Sequence, residues 1–485
     1  MLIQVPNIGK KFCNKTRCQV PPSPNLLLEL YAAYRGLQDS NRLPKDISFE
    51  QYFYIWSSGR RGEDVAGLDD GKIREATGAD EPQLIDRPPQ KLKGVIRTLV
   101  LLVDFEDRPH AEFREPSFYE QMLFGSIDIF PTGSMAEYYR KISNYVPDSN
   151  GIDIQGKVFG WFRLPNRSDY YTNSASGMGN YPRNSQGMAE DAIKEAIKQG
   201  VDFNGYDMLG EGSVTALFII HSGRGAEESG SRNDIWSLKW LVPNEIKVGL
   251  ELVAKTFLTV PENCQMGVCA HEWGHLAARW ADFYDTGKSN ITKSNGLGNY
   301  CLMASGSWNN GGITPGLPNG MLRMFHDWIA PTEITQTTKG IVLKPASEKG
   351  SIVLIKNLAR MPRPQQYVFV EYRRRSGQDS FLPDEGVAIY TVDEDIDNVN
   401  DENNLAIELM QADGRRDLAK VFGLGNRGDG DDLYPATING NLVNSIEQTG
   451  TPSLKLADNN WSGISILIKG NPGDNQMVID VIITP

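Results

Sequence analysis

The stretch VCAHEWGHLAARWADFYDT, residues 268–286, decides which kind of fold and site this sequence encodes. His271 and His275 stand four positions apart, so on an α-helix their imidazoles lie on one face, one turn from each other. The other positions of the segment are largely apolar, which indicates a buried helix whose polar side chains face a cleft. The pattern predicts a helix over 261–280, with Glu272 beside the two histidines.

This arrangement is the HExxH pattern, which is typical of catalytic zinc sites. In such a site zinc lowers the pKa of a bound water towards ~7, and the glutamate acts as general base. A chance match is the alternative, because the pattern fixes only three residues. Histidine is scarce here, however: the chain has five, and two of them fall in the motif. We therefore predict zinc at His271 and His275, with Glu272 as the catalytic residue.

The third zinc ligand is displaced from its usual place. A compact HExxHxxGxxH/D site has its next ligand six residues after the second histidine, and that position holds Ala281. The glycine position of the same pattern holds Ala278. Asp282 and Asp285 both follow within reach of one turn, and the local spacing leaves the choice between them open.

The composition is that of a globular chain of two to four domains: 485 residues, 40% apolar and 9% aromatic. The net charge of −12 argues against nucleic acid as the main partner. No apolar run approaches the ~20 residues that a membrane span requires. Residues 1–25 lack the pattern of a signal peptide, so the sequence by itself leaves the location open.

The five cysteines are an odd number and do not predict a disulfide framework. Cys269 and Cys301 are close enough to the motif for a closed, structural zinc site, although a glutamate directly after the first histidine has no purpose there. Cys18 stands in the proline-rich stretch TRCQVPPSP (16–24). A thiolate there could take the open zinc position and keep the site latent; a structural or free thiol is the alternative.

Strand and helix patterns alternate between 94 and 330, whereas short β-runs separated by turn residues follow from about 340. We therefore predict three parts. Residues 1–93 form an N-terminal pro- or capping segment with a linker, 94–338 an α+β catalytic domain, and 339–485 a β-rich, sandwich-like domain.

Two motifs together carry a family resemblance. HEWGHLAARWADFYDT and NYCLMASGSWNNGG (299–312) resemble the immune inhibitor A family of secreted zinc metallopeptidases. That family has HExxHxxGxxD followed by Tyr-Asp, and then a turn that contains a methionine. Further similar segments extend the likeness over roughly 94–435. It implies that His271 and His275 bind zinc, that Glu272 is catalytic, and that Met303 is the turn methionine.

The resemblance also implies a third ligand. When ADFYD is aligned with the PDxYD of the family, Asp282 takes the ligand position, with one extra residue after His275 and Ala278 in place of glycine. The added residue would let the helix run slightly further before it turns. Asp285 would then support one of the zinc ligands without binding the metal itself.

The function implied by the resemblance is that of a zincin-type endopeptidase, in which a mixed sheet and an active-site helix precede the β-rich domain. Its expected partners are protein or peptide substrates. The same resemblance implies a secreted protein, and we expect a monomer. The alternative is a catalytically inactive zincin-fold protein that acts as a secreted binding or adhesion module through its β-rich domain.

Calcium is a secondary expectation. The family's acidic DxDxDG loop is reduced to Asp207 and Glu211 in YDMLGEGSV (206–214), so no calcium is expected there. GNRGDGDDLYP (425–435) has three aspartates among glycines, which could bind Ca²⁺ or form a solvated turn: Asp429, Asp431 and Asp432.

Four other residues have open roles. His221 lies at a strand end and could line the cleft or cap the strand, and His326 is expected to be a core histidine. Tyr284 and Tyr300 are candidates for stabilising an oxyanion.

Overall fold

The computed structural model describes residues 18–57, 87–88, 90–126, 131–285, 294–396, 405–420, 423–450, 452–456 and 460–485. The helices of these parts are α1 Pro24–Asp39, α2 Phe49–Ser57, α3 Pro116–Phe124, α4 Met135–Ile142, α5 Ser168–Thr172, α6 Ser185–Lys198, α7 Ala226–Ser229, α8 Met266–Leu276 and α9 Gly320–Phe325. Residues 1–17, which include Cys13, and residues 58–86 lie outside the described residues.

The strands are β1 Cys18–Gln19, β2 Gly94–Asp104, β3 Ile152–Arg163, β4 Leu217–His221, β5 Leu238–Lys247, β6 Val253–Pro261, β7 Thr332–Ile334, β8 Thr338–Leu343, β9 Ile352–Ile355, β10 Gln366–Arg373, β11 Gly386–Asp393, β12 Ile407–Leu409, β13 Ala436–Ile438, β14 Asn441–Val443, β15 Ser445–Ile446, β16 Ile464–Lys469 and β17 Met477–Ile483. Helices and strands are thus mixed in the first part of the chain, and strands prevail in the last. This confirms the predicted α+β class.

A six-stranded mixed sheet lies in the first part, in the order β1-β5-β6-β4-β2-β3. Strands β3, β2, β4 and β6 run parallel to one another, whereas β5 is antiparallel to both β6 and β1. The central strand β2 is buried from Thr98 to Asp104, as its continuous apolar pattern predicts. On the side opposite β3, the sheet ends with β5 and the two residues of β1. Strand β1 pairs with β5 and covers what would otherwise be an open edge.

The motif helix α8 packs on this sheet and is buried along its whole length. Trp273 Nε1 donates to Thr98 Oγ1 of β2 at 3.0 Å, and the Tyr139 hydroxyl of α4 donates to the Ala270 carbonyl at 2.7 Å. The predicted span 261–280 was too long at both ends. Strand β6 continues to Pro261, and the chain leaves the helix after Leu276.

Helix α4 begins where its sequence indicates. Ser134 Oγ accepts from the Glu137 amide at 3.3 Å, and Glu137 Oε2 accepts from the Ser134 amide at 2.9 Å. This reciprocal pair is a capping box, which satisfies two amides that the first turn of a helix leaves without partners.

The last part of the chain consists of the two-stranded sheet β13-β14 and two larger sheets. The strand orders of the larger sheets are β12-β11-β10-β9-β7 and β15-β16-β17-β8, and residues of both form one apolar core. The five-stranded sheet also faces the core of the first part, because alternate residues of β9 to β11 point to opposite sides. Those on the first side are Ile352, Leu354, Tyr367, Phe369, Ala388 and Tyr390; those in the sandwich are Val353, Ile355, Val368, Val370, Val387 and Ile389.

A buried group of charges also joins the two parts. The Arg373 guanidinium of β10 donates to both carboxylate oxygens of Asp379, at 2.7 and 2.8 Å, and to the Tyr300 carbonyl at 2.7 Å. Asp379 in turn accepts from the Leu317 amide at 3.0 Å. The C-terminal sheet therefore holds both ends of the segment 300–317. The boundary predicted near 338 stays a prediction.

Substitution of Gly267 tests the close packing of α8 against the segment that contains Ser307. A Cβ added there would lie 2.1 Å from the Ser307 carbonyl oxygen, so we expect Gly267→Ala to lower the free energy of unfolding by at least about 1–3 kcal/mol. Gly36 on the exposed face of α1 has nothing within 4 Å of such a Cβ. The control Gly36→Ala should raise stability by about 0.5–1 kcal/mol. Denaturant unfolding measures both, and equal stability of the two variants would contradict the packing described.

Candidate metal centre

Two backbone carbonyls determine the protonation of the motif histidines. His271 Nδ1 lies 2.8 Å from the Leu302 carbonyl oxygen, and His275 Nδ1 lies 2.6 Å from that of Trp280. A carbonyl oxygen only accepts, so each Nδ1 must carry the hydrogen. Burial lowers the pKa of His275, which favours its neutral form. In neutral imidazoles with the hydrogen on Nδ1, each Nε2 has a free lone pair, and the two Nε2 atoms face each other at 3.0 Å.

Asp282 completes a triangle of acceptor atoms. Its Oδ1 lies 3.0 Å from His275 Nε2 and 3.2 Å from His271 Nε2. Burial opposes its ionisation, but the two imidazoles outweigh this effect and the pKa of Asp282 lies below its ordinary value. Three acceptors without a hydrogen to share repel one another unless a cation lies among them. Ligands at about 2.0–2.2 Å from a tetrahedral zinc are separated by similar distances, so the donor set fits this ion.

The turn after α8 explains how Asp282 reaches the histidines. The helix ends at Leu276, and Arg279 takes the left-handed conformation at φ 58°. Ala278, at the position of the expected glycine, is not among the residues with positive φ. The turn is therefore one residue later than in the compact pattern, and the aspartate is displaced by the same one residue. Arg279 accepts a conformation that glycine adopts more easily, and its guanidinium pairs with Glu211 at 3.2 Å.

Asp285, the other candidate, lies beyond this turn. Its backbone amide donates to the Ser294 carbonyl at 3.3 Å. Asp282 Oδ1, by contrast, lies 3.0 Å from His275 Nε2 and 3.2 Å from His271 Nε2. The geometry therefore favours Asp282 over Asp285 as a metal ligand.

Glu272 is fully buried beside the triangle, and neither of its carboxylate oxygens has a hydrogen-bond partner in the described part of the chain. Burial, and then the negative charges of Asp282 and Glu227, raise the pKa of Glu272 well above its ordinary value. The Val20 amide acts in the opposite direction, although no hydrogen bond of normal geometry joins it to the carboxylate. A buried carboxylate without partners is costly, and such groups are concentrated at functional sites.

The methionine turn lies directly beneath α8. Met303 is fully buried, and its Sδ would lie 3.0 Å from a Cβ at Gly274, between the two histidines. The Met303 carbonyl accepts from the Phe283 amide at 2.7 Å, which holds the residue after Asp282. The turn methionine therefore packs against α8 next to the two motif histidines. The carbonyls of Leu302 and Trp280 are functional groups that sequence reasoning missed, because every residue carries one.

An extended segment, Cys18–Ser23, crosses the site, and we term it the cleft strap. Its thiol sulfur, a ring nitrogen of His275 and a carboxylate oxygen of Asp282 all lie within 4.8 Å of one another. Three consecutive carbonyls of the strap accept hydrogen bonds from aromatic side chains: Gln19 from the Tyr284 hydroxyl at 2.5 Å, Val20 from Trp236 Nε1 at 2.9 Å, and Pro21 from Trp308 Nε1 at 2.8 Å.

His221 and His326 belong to the core. His221 is bonded through Nδ1 to the Ser222 carbonyl, and burial lowers its pKa to about 4. Burial likewise lowers the pKa of His326 to about 4; its Nδ1 accepts from the Leu92 amide, and its Nε2 donates to the Ala278 carbonyl. The structure thus gives His326 the expected core position.

The other candidates are placed as follows. The Tyr300 hydroxyl donates to Asp432 at 2.9 Å, so it is engaged away from the triangle. Cys269 Sγ donates to Cys264 Sγ at 3.5 Å, and burial raises the pKa of Cys301 to about 11. In the described chain neither Cys269 nor Cys301 joins the ligand group of His275 and Asp282, so the geometry does not favour a structural zinc site with these thiols.

A second acidic group lies in the C-terminal part. Carboxylate oxygens of Asp413, Asp429 and Asp432 lie within 4.8 Å of one another. Burial raises the pKa of Asp432 to about 7, and this carboxylate accepts from Gln411, Tyr300 and the Asp429 amide. Asp431, which the sequence also suggested, instead accepts from the Thr437 amide at 3.3 Å. Calcium binding here stays a prediction.

Comparison with known proteins adds the family. Residues 93–329 match the family model described as "Immune inhibitor A peptidase M6, catalytic domain". This segment belongs to the immune inhibitor A peptidase family. The resemblance carried by the two motifs is therefore confirmed.

Curated relatives match over a similar length. "Immune inhibitor A" of Bacillus thuringiensis subsp. alesti is 29% identical over 254 residues, which are 44% of this chain and 36% of that protein. "Pre-pro-metalloprotease PrtV" of Vibrio cholerae serotype O1 (strain M66-2) is 27% identical over 257 residues, which are 44% of this chain and 27% of that protein. The matched region thus spans about a third of each relative's length. In the described residues, no helix is long and apolar enough to cross a membrane.

Glu227, close to the strap, makes stability depend on pH. Its carboxylate accepts from the Ser237 amide and hydroxyl, yet burial raises its pKa to about 7 from an ordinary 4.5. Between these values the folded chain keeps a proton that the unfolded chain releases, so the unfolding free energy falls as pH rises. Relative to Glu227→Gln, the natural chain should lose on the order of 2–3 kcal/mol between about pH 4.5 and 7.

Chemical unfolding at several pH values measures this difference. Glu29→Gln, on the exposed side of α1, is the control and should leave the pH dependence unchanged. If the pH dependence of the unfolding free energy persists in Glu227→Gln, other titratable groups cause it.

Proposed function

We propose that this chain is a zinc-dependent endopeptidase in which His271, His275 and Asp282 hold the metal and Glu272 is the general base. The observation that carries the proposal is the triangle of buried side-chain atoms, His271 Nε2, His275 Nε2 and Asp282 Oδ1, which lie 3.0–3.2 Å apart. With both Nδ1 atoms donating to backbone carbonyls, neutral imidazoles have no Nε2 hydrogen to share. The family membership of residues 93–329 supports the same conclusion.

The chemistry follows from the side chains around the triangle. Zinc, when bound, supplies polarisation of a water molecule and of the scissile carbonyl. The Glu272 carboxylate, which has no hydrogen-bond partner in the described chain, takes the proton of the attacking water and passes it to the leaving amine.

The substrate class follows from the contacts of the cleft strap. Its carbonyls are held by Tyr284, Trp236 and Trp308. Donors of this kind recognise the backbone of an extended peptide rather than particular side chains. An extended substrate added to the edge strand β5 would meet the same donors, so the proposed substrates are proteins or peptides of varied sequence.

Some wider assignments are part of the same proposal. The antiparallel edge strand and the motif helix beneath it support a zincin-type catalytic domain over 94–338, between an N-terminal segment, 1–93, and a β-rich domain, 339–485. A secreted, monomeric enzyme remains the proposed form. An inactive zincin-fold module for binding or adhesion is the alternative that measurements of activity must exclude.

Substitutions of single side chains test the assignment. Glu272→Gln should retain zinc but hydrolyse casein at least about 100-fold more slowly, because the general base is lost. Asp282→Asn should lower zinc affinity by more than about 100-fold, whereas the matched variant Asp285→Asn should stay close to the natural chain. Metal analysis after dialysis and casein cleavage are the two measurements.

The outcomes separate the alternatives. Equal hydrolysis by the natural chain and Glu272→Gln would remove the catalytic role of this residue. Loss of zinc in Asp285→Asn but not in Asp282→Asn would show that Asp285, and not Asp282, is the third zinc ligand. Bound zinc without hydrolysis, in a chain whose cleft strap has been displaced, would favour the binding module.

A further inference from the structure

The cleft strap occupies the place of an extended peptide. Cys18 stands opposite Lys239, and Gln19 opposite Leu238, in antiparallel pairing with β5. The Val20 amide continues this ladder to the Ser237 carbonyl at 3.4 Å. The strap thus covers the edge of the sheet, which is where a substrate would add as a further strand.

The strap is also anchored by folded structure on its C-terminal side. The Ser23 amide donates to the Glu227 carbonyl at 2.8 Å, and Ser23 Oγ caps α1 by accepting from the Leu26 amide at 3.2 Å. Leu26 and Trp56 then approach Gly230, so that α1 and α2 lie against the end of α7. The strap therefore leads directly into α1 and α2, which pack against the rest of the fold.

The side chain of Cys18 is the part of the strap that reaches the metal centre. Its sulfur lies within 4.8 Å of both a ring nitrogen of His275 and a carboxylate oxygen of Asp282, and the residue is buried. An independent observation marks the same place as a ligand site, since Glu272 is fully buried beneath the Val20 amide with no partner for either oxygen. Thiolate is among the zinc ligands that close structural sites, whereas catalytic sites keep the fourth position open.

We propose that Cys18 is the fourth protein ligand of this centre and that the cleft strap keeps the enzyme latent until it is displaced. This inference rests on the proposed function, because it needs zinc at His271, His275 and Asp282. On binding, the thiol loses its proton to solvent and its sulfur takes the position that water needs; on displacement, the sulfur takes up a proton and water returns. The strap blocks the substrate place at the same time.

The ligand set can be measured without relying on activity. X-ray absorption at the zinc edge of the full, zinc-loaded chain under reducing conditions should show one sulfur at about 2.3 Å, besides nitrogen and oxygen at about 2.0–2.2 Å. Cys18→Ser should lose the sulfur but keep zinc. Gln19→Ser is the matched control, since it places serine one residue further along the same strand and leaves the thiol in place, so its sulfur signal should remain.

Peptide hydrolysis provides the second readout. Cys18→Ser should cleave a fluorogenic casein peptide faster than the natural chain, by at least about tenfold, since the fourth position is then open, and Gln19→Ser should stay near the natural rate. Zinc bound with no sulfur in the natural chain, or with a sulfur that persists in Cys18→Ser, would overturn the role of Cys18 while leaving the proposed zinc site intact. Equal hydrolysis by the three zinc-loaded chains would overturn latency. A natural chain that binds no zinc would instead overturn the proposed function itself.

Discussion

The site depends on two hydrogen bonds from imidazoles to backbone carbonyls. Because the carbonyls of Leu302 and Trp280 take the Nδ1 hydrogens, both Nε2 lone pairs point at one place, and Asp282 adds a third acceptor there. Such a group is unfavourable without a cation, so the surrounding structure must hold it together. Each of its supports is visible in the packing. Helix α8 is fixed to β2 and α4 by buried hydrogen bonds, and the turn at Met303 closes against Gly274.

One of these supports is the C-terminal sheet. The Leu302 carbonyl lies in a segment whose neighbours are bound by the C-terminal sheet, through Arg373 at Tyr300 and Asp379 at Leu317. A buried ion pair contributes little net stability, because both charges lose their hydration. It does require a defined geometry, since a displaced partner would leave a charge unpaired. The sheet therefore contributes to the position of His271 through the segment 300–317, and its inner face belongs to the core of the first part of the chain.

The sequence was most informative where side-chain chemistry is concerned. The helix and its three polar residues follow from spacing, whereas Asp282 was preferred from the family alignment, and the left-handed Arg279 accounts for its shift by one residue. The helix was predicted too long at both ends, because β6 runs to Pro261 before it and the chain turns at Arg279 after it. The carbonyls that orient the histidines could not be predicted at all. Backbone groups leave no mark in a sequence, and only the fold determines which of them face a given side chain.

The position of the cleft strap was the hardest feature to predict from local spacing, since Asp282 lies 264 positions after Cys18 in the chain. Two opposing contributions determine the stability of the closed cleft. Closing the cleft leaves Glu272 buried without a hydrogen-bond partner, which is unfavourable by several kcal/mol in an apolar setting. The closed state must therefore be held by other contacts: the pairing with β5, the three aromatic donors and the cap of α1. Once these are broken, water reaches Glu272 and removes its desolvation penalty. The buried base thus favours opening and the backbone contacts favour closure, so a modest loss of anchoring is enough to release the site.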